Sequence, residues 1–270
     1  FSRAVGGIQR VANAAGYNVV ICQSDESYPA EKKNLDSLIS NHVDGLLISV
    51  SRETQNSDHF LTLLERNIPV VFFDRVCESL ETPQVITDNY EISFKATQHL
   101  IDQGCRKIAI LAGPEYLSTS SKRVCGYRAA LMQNNIGFNP AWLLFPDFRC
   151  NSIEAFTNEL LRQKDFPDAI FAINDMAAIE IMHFLKKSGL KIPSDVAVMG
   201  FNNEKVGEFM EPSLSSIDLP AQEMGETAAE ILINHIKDPE CKPEKRLIAS
   251  RLVIRSSTVR NREAPESKIP

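Results

Sequence analysis

The stretch SFKATQHLIDQGCRKIAILAGPEYLSTSSKRVCGYRAALMQNN, residues 93–135, sets the fold class. Its centre, Lys107–Ala112 (KIAILA), is apolar at every second position on both faces. That suits a strand inside a parallel sheet rather than a half-solvated antiparallel one. On either side the apolar spacing turns helical, over Ser93–Gln103 and Ser121–Asn135. Gly104 follows the first of these, where a helix end favours a left-handed residue. A helix–strand–helix run of this kind belongs to a doubly wound α/β sheet, because parallel neighbours need a crossover connection.

The pattern repeats outward in both directions. Asn18–Ser24 (NVVICQS), Asp44–Val50 (DGLLISV), Pro69–Asp74 (PVVFFD), Asp168–Ile173 (DAIFAI) and Asp195–Phe201 (DVAVMGF) read as further strands. Helical spacing covers Ser2–Ala15, Ala30–His42, Ser57–Arg66, Ser152–Lys164, Met176–Ser188 and Gln222–Ile236, with Gly16, Gly137 and Gly189 just beyond three of the helices. A last strand is expected over Arg246–Ile254, and the charged tail from Arg260, with two prolines, is expected to be disordered. About three strand–helix units precede Gly104 and three follow it. The expected division is residues 1–104 plus 219–250 as one lobe and 105–218 plus 251–262 as the other, with 263–270 as a flexible tail. The chain opens on a helix where such folds normally place a strand first, so an upstream piece is expected.

The 270 residues are 43% hydrophobic and 24% charged, an ordinary globular composition, with a formal net charge of -6. That charge is the wrong sign for a self-sufficient DNA binder. No apolar run is long enough to cross a membrane as a helix. The six cysteines stand singly without a C-x-x-C, which fits reduced thiols in the cytosol better than a disulfide framework or zinc site. No G-x-S-x-G, G-x-x-x-x-G-K-[ST] or G-x-G-x-x-G is present. The five histidines (His42, His59, His99, His183, His235) have no metal-pair spacing and read as surface or cap residues. No cofactor, metal or catalytic set is expected.

What remains is polar residues at the carboxyl ends of strands, where open α/β sheets take ligands. Asp74-Arg75, Asp88-Asn89, Asn174-Asp175 and Asn202-Asn203 each end or follow an apolar run, and Arg123 lies early in a helix after Ser118-Thr119-Ser120-Ser121. Carboxylates, amides and a guanidinium make the directional bonds that a polyhydroxylated ligand such as a sugar needs. Each has a plain alternative. Asp88, Asp175 and Asn203 fit as helix N-caps, Asp74-Arg75 as an ion pair, and Arg123 as a solvated helix residue. If Arg123 instead reaches a ligand, its truncation is expected to cost binding and leave folding little changed.

In order and spacing, PVVFFDR (69–75), V-x-x-DN-Y-E (85–91), HLIDQGCRKIAILAGP (99–114), SSKRVCGYRAAL (120–131), AIFAINDMAAIE (169–180), KIPSDVAVMGFNN (191–203), PSLSSIDLP (212–220) and RLVIRSST (251–258) resemble the LacI/GalR bacterial transcription repressors. The resemblance implies a fold of the periplasmic binding protein-like I type, with two Rossmann-like lobes and parallel sheets. It also implies a cytoplasmic homodimer, a sugar or sugar derivative bound between the lobes, and allosteric control of operator DNA through an upstream helix-turn-helix absent from this chain. A periplasmic sugar-binding protein of a transporter is the alternative with the same fold. Asp88, Arg123, Asn174 and Asn202 fall where the family's ligand-contacting polar residues lie. Two positions depart from it. The usual G-[FY]-D-D reads Gly200-Phe201-Asn202-Asn203, and the usual ring-stacking aromatic is replaced by Cys150, with Phe148 two residues earlier as a substitute. Losing a carboxylate at Asn202 makes the site more positive and favours an anionic ligand such as a sugar acid or sugar phosphate.

Overall fold

The computed structural model describes residues 2–145 and 152–260. Along the chain run α1 (Ser2–Ala14), α2 (Tyr28–Ser40), β1 (Leu46–Ile48), α3 (Asp58–Glu65), β2 (Val70–Phe73), β3 (Gln84–Thr87), α4 (Asn89–Asp102), β4 (Ile108–Leu111), α5 (Ser118–Gln133), β5 (Leu143–Leu144), α6 (Ser152–Arg162), β6 (Ala169–Ala172), α7 (Asp175–Lys187), β7 (Ala197–Met199), β8 (Ser216–Asp218), α8 (Ala221–Lys237), β9 (Lys245–Ile248) and β10 (Arg251–Val253). They form two compact units. The first holds the chain up to Asp88, Pro114–Ser121 and Pro220–Ser250; the second holds Asn89–Gly113, Lys122–Leu219 and the chain from Arg251.

In the first unit a four-stranded sheet runs β1-β2-β3-β9, every pair parallel. The two-faced apolar run at 69–74 explains its layering, because successive side chains point to opposite faces. Val71 and Phe73 pack with Ala4 and Ile8 of α1 and Met224, Ala228 and Leu232 of α8. Val70 and Phe72 pack with Leu35 of α2 and Phe60 and Leu63 of α3. Helices α1 and α8 cross so closely that a Cβ on Gly225 would lie 2.1 Å from the Ala4 carbonyl, and one on Gly7 2.3 Å from that of Gln222.

The second unit repeats the plan with a parallel sheet in the order β5-β4-β6-β7 and an antiparallel pair, β8 with β10. Strand β4 alternates as its sequence demands. Ile108 and Ile110 face α4 and α5 through Leu100 and Tyr127, while Ala109 and Leu111 face α6 and α7 through Leu160 and Ile181.

Four sequence expectations are corrected here. Asn18–Ser24 is not a strand: no neighbour offers it a ladder among the described residues, and Val20 and Ile21 are exposed. The span Arg246–Ile254 is not one strand but two, β9 pairing in the first unit and β10 in the second. The first change of unit falls at Asp88/Asn89 and not at residue 104, because Ile92, Ala96, Leu100 and Ile101 of α4 bury their apolar stripe in the second unit's core. Gly16, Gly104 and Gly189 adopt the expected positive φ, but after α5 the left-handed residue is Asn135, at φ 56°, and not Gly137. The tail at 263–270 lies outside the described residues.

Candidate functional site

Three of the candidate residues come together within the second unit, at the carboxyl ends of its strands. Arg123, in the second turn of α5, is half-buried. Its Nε donates to Asn89 Oδ1 at 2.8 Å and its NH1 to the Ile173 carbonyl at 3.2 Å. Its guanidinium carbon stands 3.5 Å from the centre of the Phe201 ring. A planar cation laid on an aromatic face is held by the ring quadrupole and fixed in orientation. Arg123 is thus not the freely solvated helix residue that its sequence context also allowed. Asn174 and Asn202 directly follow two of its three contacts, Ile173 and Phe201.

Asn174 ends the β6 run and is the N-cap of α7, its Oδ1 accepting from the Ala177 amide at 2.8 Å. The cap is Asn174 and not Asp175, so that side chain keeps its NH₂ group for another partner. Asn202 follows β7 at φ 103° and Asn203 at φ 51°. Left-handed conformations at non-glycine residues cost about 1 kcal/mol or more, and asparagine bears them best. The Asn202 amide donates to the Ile217 carbonyl at 2.8 Å, while its side chain makes no hydrogen bond among the described residues. Asn203 is no helix cap either: its Oδ1 accepts from Arg255 at 2.9 Å. Asp175 is buried (1% exposed), and burial pushes its carboxyl up to about 6, against the opposing effect of bonds from Ser216 and backbone amides.

In the first unit Asp88 closes β3 and is half-buried. The loops after β1 and β2 are tied by two glutamates. Glu26, at φ 64°, accepts from both terminal nitrogens of Arg75 at 2.6 Å and from the Arg52 amide at 2.7 Å. Burial opposes its ionisation, but the Arg75 bonds prevail and hold the carboxyl below its ordinary range. Arg75 therefore pairs bidentately with Glu26, a partner invisible in the Asp74-Arg75 dipeptide. Glu31 accepts from the Ser51 amide (2.6 Å), Thr54 Oγ1 (2.6 Å) and His59 Nε2 (2.8 Å), all buried. His59 is therefore a core residue, contrary to the surface role expected for the histidines. His99 is half-buried as well, its Nε2 bonded to Thr258 Oγ1 in the second unit. Phe148 and Cys150 lie outside the described residues. Among the described residues no group of three or more His, Cys, Asp or Glu side chains could hold a metal ion.

Sequence reasoning missed Phe201 as the seat of Arg123, and Glu31 with its ring of donors. The first carried a signal, an aromatic one residue before a candidate polar side chain at a strand end. The second did not, since its partners lie 20 to 28 residues away.

Residues 1–256 match the family model described as periplasmic binding proteins and sugar binding domain of the LacI family. The chain belongs to the LacI family. A curated relative, the HTH-type transcriptional repressor PurR of Aliivibrio fischeri, is 32% identical over 263 residues, covering 96% of this chain and 77% of its own. Among solved structures, a transcriptional regulator CelR–cellobiose complex superposes at TM-score 0.86 with 28% identity, over 95% of this chain and 78% of that one. A LacI family regulator of Enterococcus faecium with bound ribose gives 0.85 and 26%, over 96% and 93%. The chain is the effector-binding domain of a regulator of this family. The transporter alternative is disfavoured, because these relatives are repressors and regulators. They are not enzymes. No helix among the described residues is long and apolar enough to cross a membrane.

Proposed function

We propose that this domain binds a small sugar or sugar derivative through Asp88, Arg123, Asn174 and Asn202, with Phe148 or Cys150 against the ring, and that occupancy controls operator binding by the dimeric cytoplasmic regulator. The observation that carries the reading is Arg123. It is oriented by Phe201 and anchored by Asn89 and the Ile173 carbonyl, beside two asparagines whose side chains retain hydrogen-bonding capacity. A planar donor flanked by amides, each able to donate and accept, recognises vicinal hydroxyls. Structural relatives captured with cellobiose, ribose and D-xylulofuranose support the ligand class. Binding becomes allosteric control when the sugar discriminates between two arrangements of the regulator.

The test is titration calorimetry of the domain against D-ribose, D-xylulose, cellobiose and their phosphorylated or oxidised counterparts. At least one should bind with a dissociation constant below about 1 mM, and Arg123→Ala should abolish its heat signal. A panel with no binder at millimolar concentration refutes the reading.

A further inference from the structure

The turn from Phe201 to Glu204 carries Asn202 and Asn203 in left-handed conformations that it would not keep unaided. Beside the bond from the Asn202 amide to the Ile217 carbonyl and that from Arg255 to Asn203 Oδ1, its restraints lead to one residue, Asp175. Asp175 Oδ2 accepts from the Glu204 amide at 2.5 Å, and Asp175 Oδ1 accepts from Ser216 Oγ at 2.6 Å. The same Ser216 Oγ accepts from the Asn203 amide at 3.0 Å. The Asp175 amide donates to the Phe201 carbonyl at 2.9 Å. Residues 201 and 204 are therefore tied to Asp175 directly and residue 203 through Ser216, while the Asn202 side chain makes no hydrogen bond among the described residues. The chain makes room for this arrangement. A Cβ on Gly200 would lie 2.1 Å from Asp175 Oδ1, so a side chain there would displace the carboxylate.

We propose that Asp175 is a positioning residue of the effector site, its carboxylate fixing the turn that presents Asn202 to the ligand; the ligand role of Asn202 is that of the reading above. Burial raises this carboxyl to about 6, and the nearby Glu204 carboxylate also opposes ionisation. The other charged groups around the turn are Arg255, bonded to Asn203 Oδ1, Glu208 Oε1 and the Leu214 carbonyl, and Arg123 on the Phe201 ring. The sign follows from linkage. A carboxyl raised on folding lowers stability as pH climbs from its ordinary value through about 6, so the ionised Asp175 works against the fold at neutral pH. A buried group that costs stability while it organises a turn at a strand end is placed for function.

The test follows the amide resonances of Asn203 and Glu204 in the whole domain without ligand, from pH 7.5 to 5. Both should titrate with a common midpoint near 6. They should be flat in Asp175→Asn, with a thermal midpoint at pH 7.5 unchanged or higher. In Ser216→Ala, which removes a donor to the carboxylate, the midpoint should move up; this variant serves if Asp175→Asn does not fold. In the sugar panel, native affinity should fall several-fold from pH 7.5 to 5. Asp175→Asn should bind about tenfold more weakly at pH 7.5, with no pH dependence. Amides that do not titrate, that titrate equally in Asp175→Asn, or sugar binding unaffected by that substitution would overturn the proposal. If no sugar in the panel binds, the effector reading fails, and the amide titration still decides the role of Asp175.

Discussion

Truncating Arg123 to alanine tests the site and its scaffold together. The guanidinium donates to Asn89 Oδ1 and the Ile173 carbonyl and lies on Phe201. Asn89 is 3% exposed, so its oxygen cannot simply turn to water. Two bonds from a charged donor and one cation–π contact, discounted because Arg123 is only half-buried, come to about 2 kcal/mol of folding free energy. For a unit of this size that is roughly 4–8 °C in thermal midpoint, contrary to the expectation that folding would be little changed. The binding loss is separate. Two or more charge-assisted bonds to ligand oxygens are worth about 2–4 kcal/mol, or roughly 30- to 1,000-fold in affinity. Arg123→Lys divides the two effects, since an ammonium keeps the charge but cannot reproduce the planar fork or the stacking. It should recover part of the stability and little of the affinity. Denaturant unfolding and calorimetry on the same preparations give both numbers. An alanine variant that binds a panel sugar as tightly as the native domain refutes the ligand role, and one within 0.5 kcal/mol of native stability (a threshold of about the spread of neutral surface changes) refutes the scaffold role.

Asn202→Asp should weaken binding of an anionic effector such as a sugar phosphate by at least about 1 kcal/mol through like-charge repulsion; equal or tighter binding would mean a neutral ligand. Glu31→Ala strands two buried donors, Ser51 N–H and the His59 ring, leaves Thr54 O–H only Ser51 Oγ, and should cost about 3–5 kcal/mol in denaturant unfolding. Burial opposes ionisation of Glu31, but the bonds from His59, Thr54 and Ser51 prevail and hold it below its ordinary value. Its stabilising contribution is therefore complete above that ordinary value and lost as pH falls through the lower folded one, a dependence that Glu31→Ala should remove from the acid unfolding curve. The domain should sediment as a homodimer at micromolar concentration, with the partly buried Val5 and Val11 of α1 near the interface; monomer alone would contradict this.

The layering of both sheets was legible in the sequence because it follows from alternation. In VVFF (70–73) and IAIL (108–111) every residue is buried, so each strand needs helices on both faces, and the periodic helices beside them supply that cover. Asn18–Ser24 shows where the same logic stops. Its central run Val19–Cys22 (VVIC) is apolar like β2, yet a strand requires a neighbour with free N–H and C=O groups, and composition does not supply one. Arg246–Ile254 fails differently. Only Ala249-Ser250 interrupts its strand-forming residues, and the switch of sheets between Ile248 and Arg251 is decided by the partners, β3 on one side and β8 on the other.

The site divides along the same line. A polar residue closing an apolar run is visible one residue at a time, which is how Asn174, Asn202 and Asp88 stood out. What a side chain does there depends on neighbours distant in sequence. Arg123 becomes a fixed donor because Asn89, the Ile173 carbonyl and the ring of Phe201, 78 positions later, hold it. Asp175, read locally as a helix cap, has surrendered that role to Asn174 and turned its carboxylate to residues 204 and 216. The change of role has an energetic signature. A capping aspartate at a helix N-terminus is stabilised in its charged form, so its pKa falls; at Asp175 desolvation outweighs the helix end and the pKa rises. That reversal, at a residue between two candidate ligand contacts, separates a group kept for the turn it organises from one kept for the helix it begins.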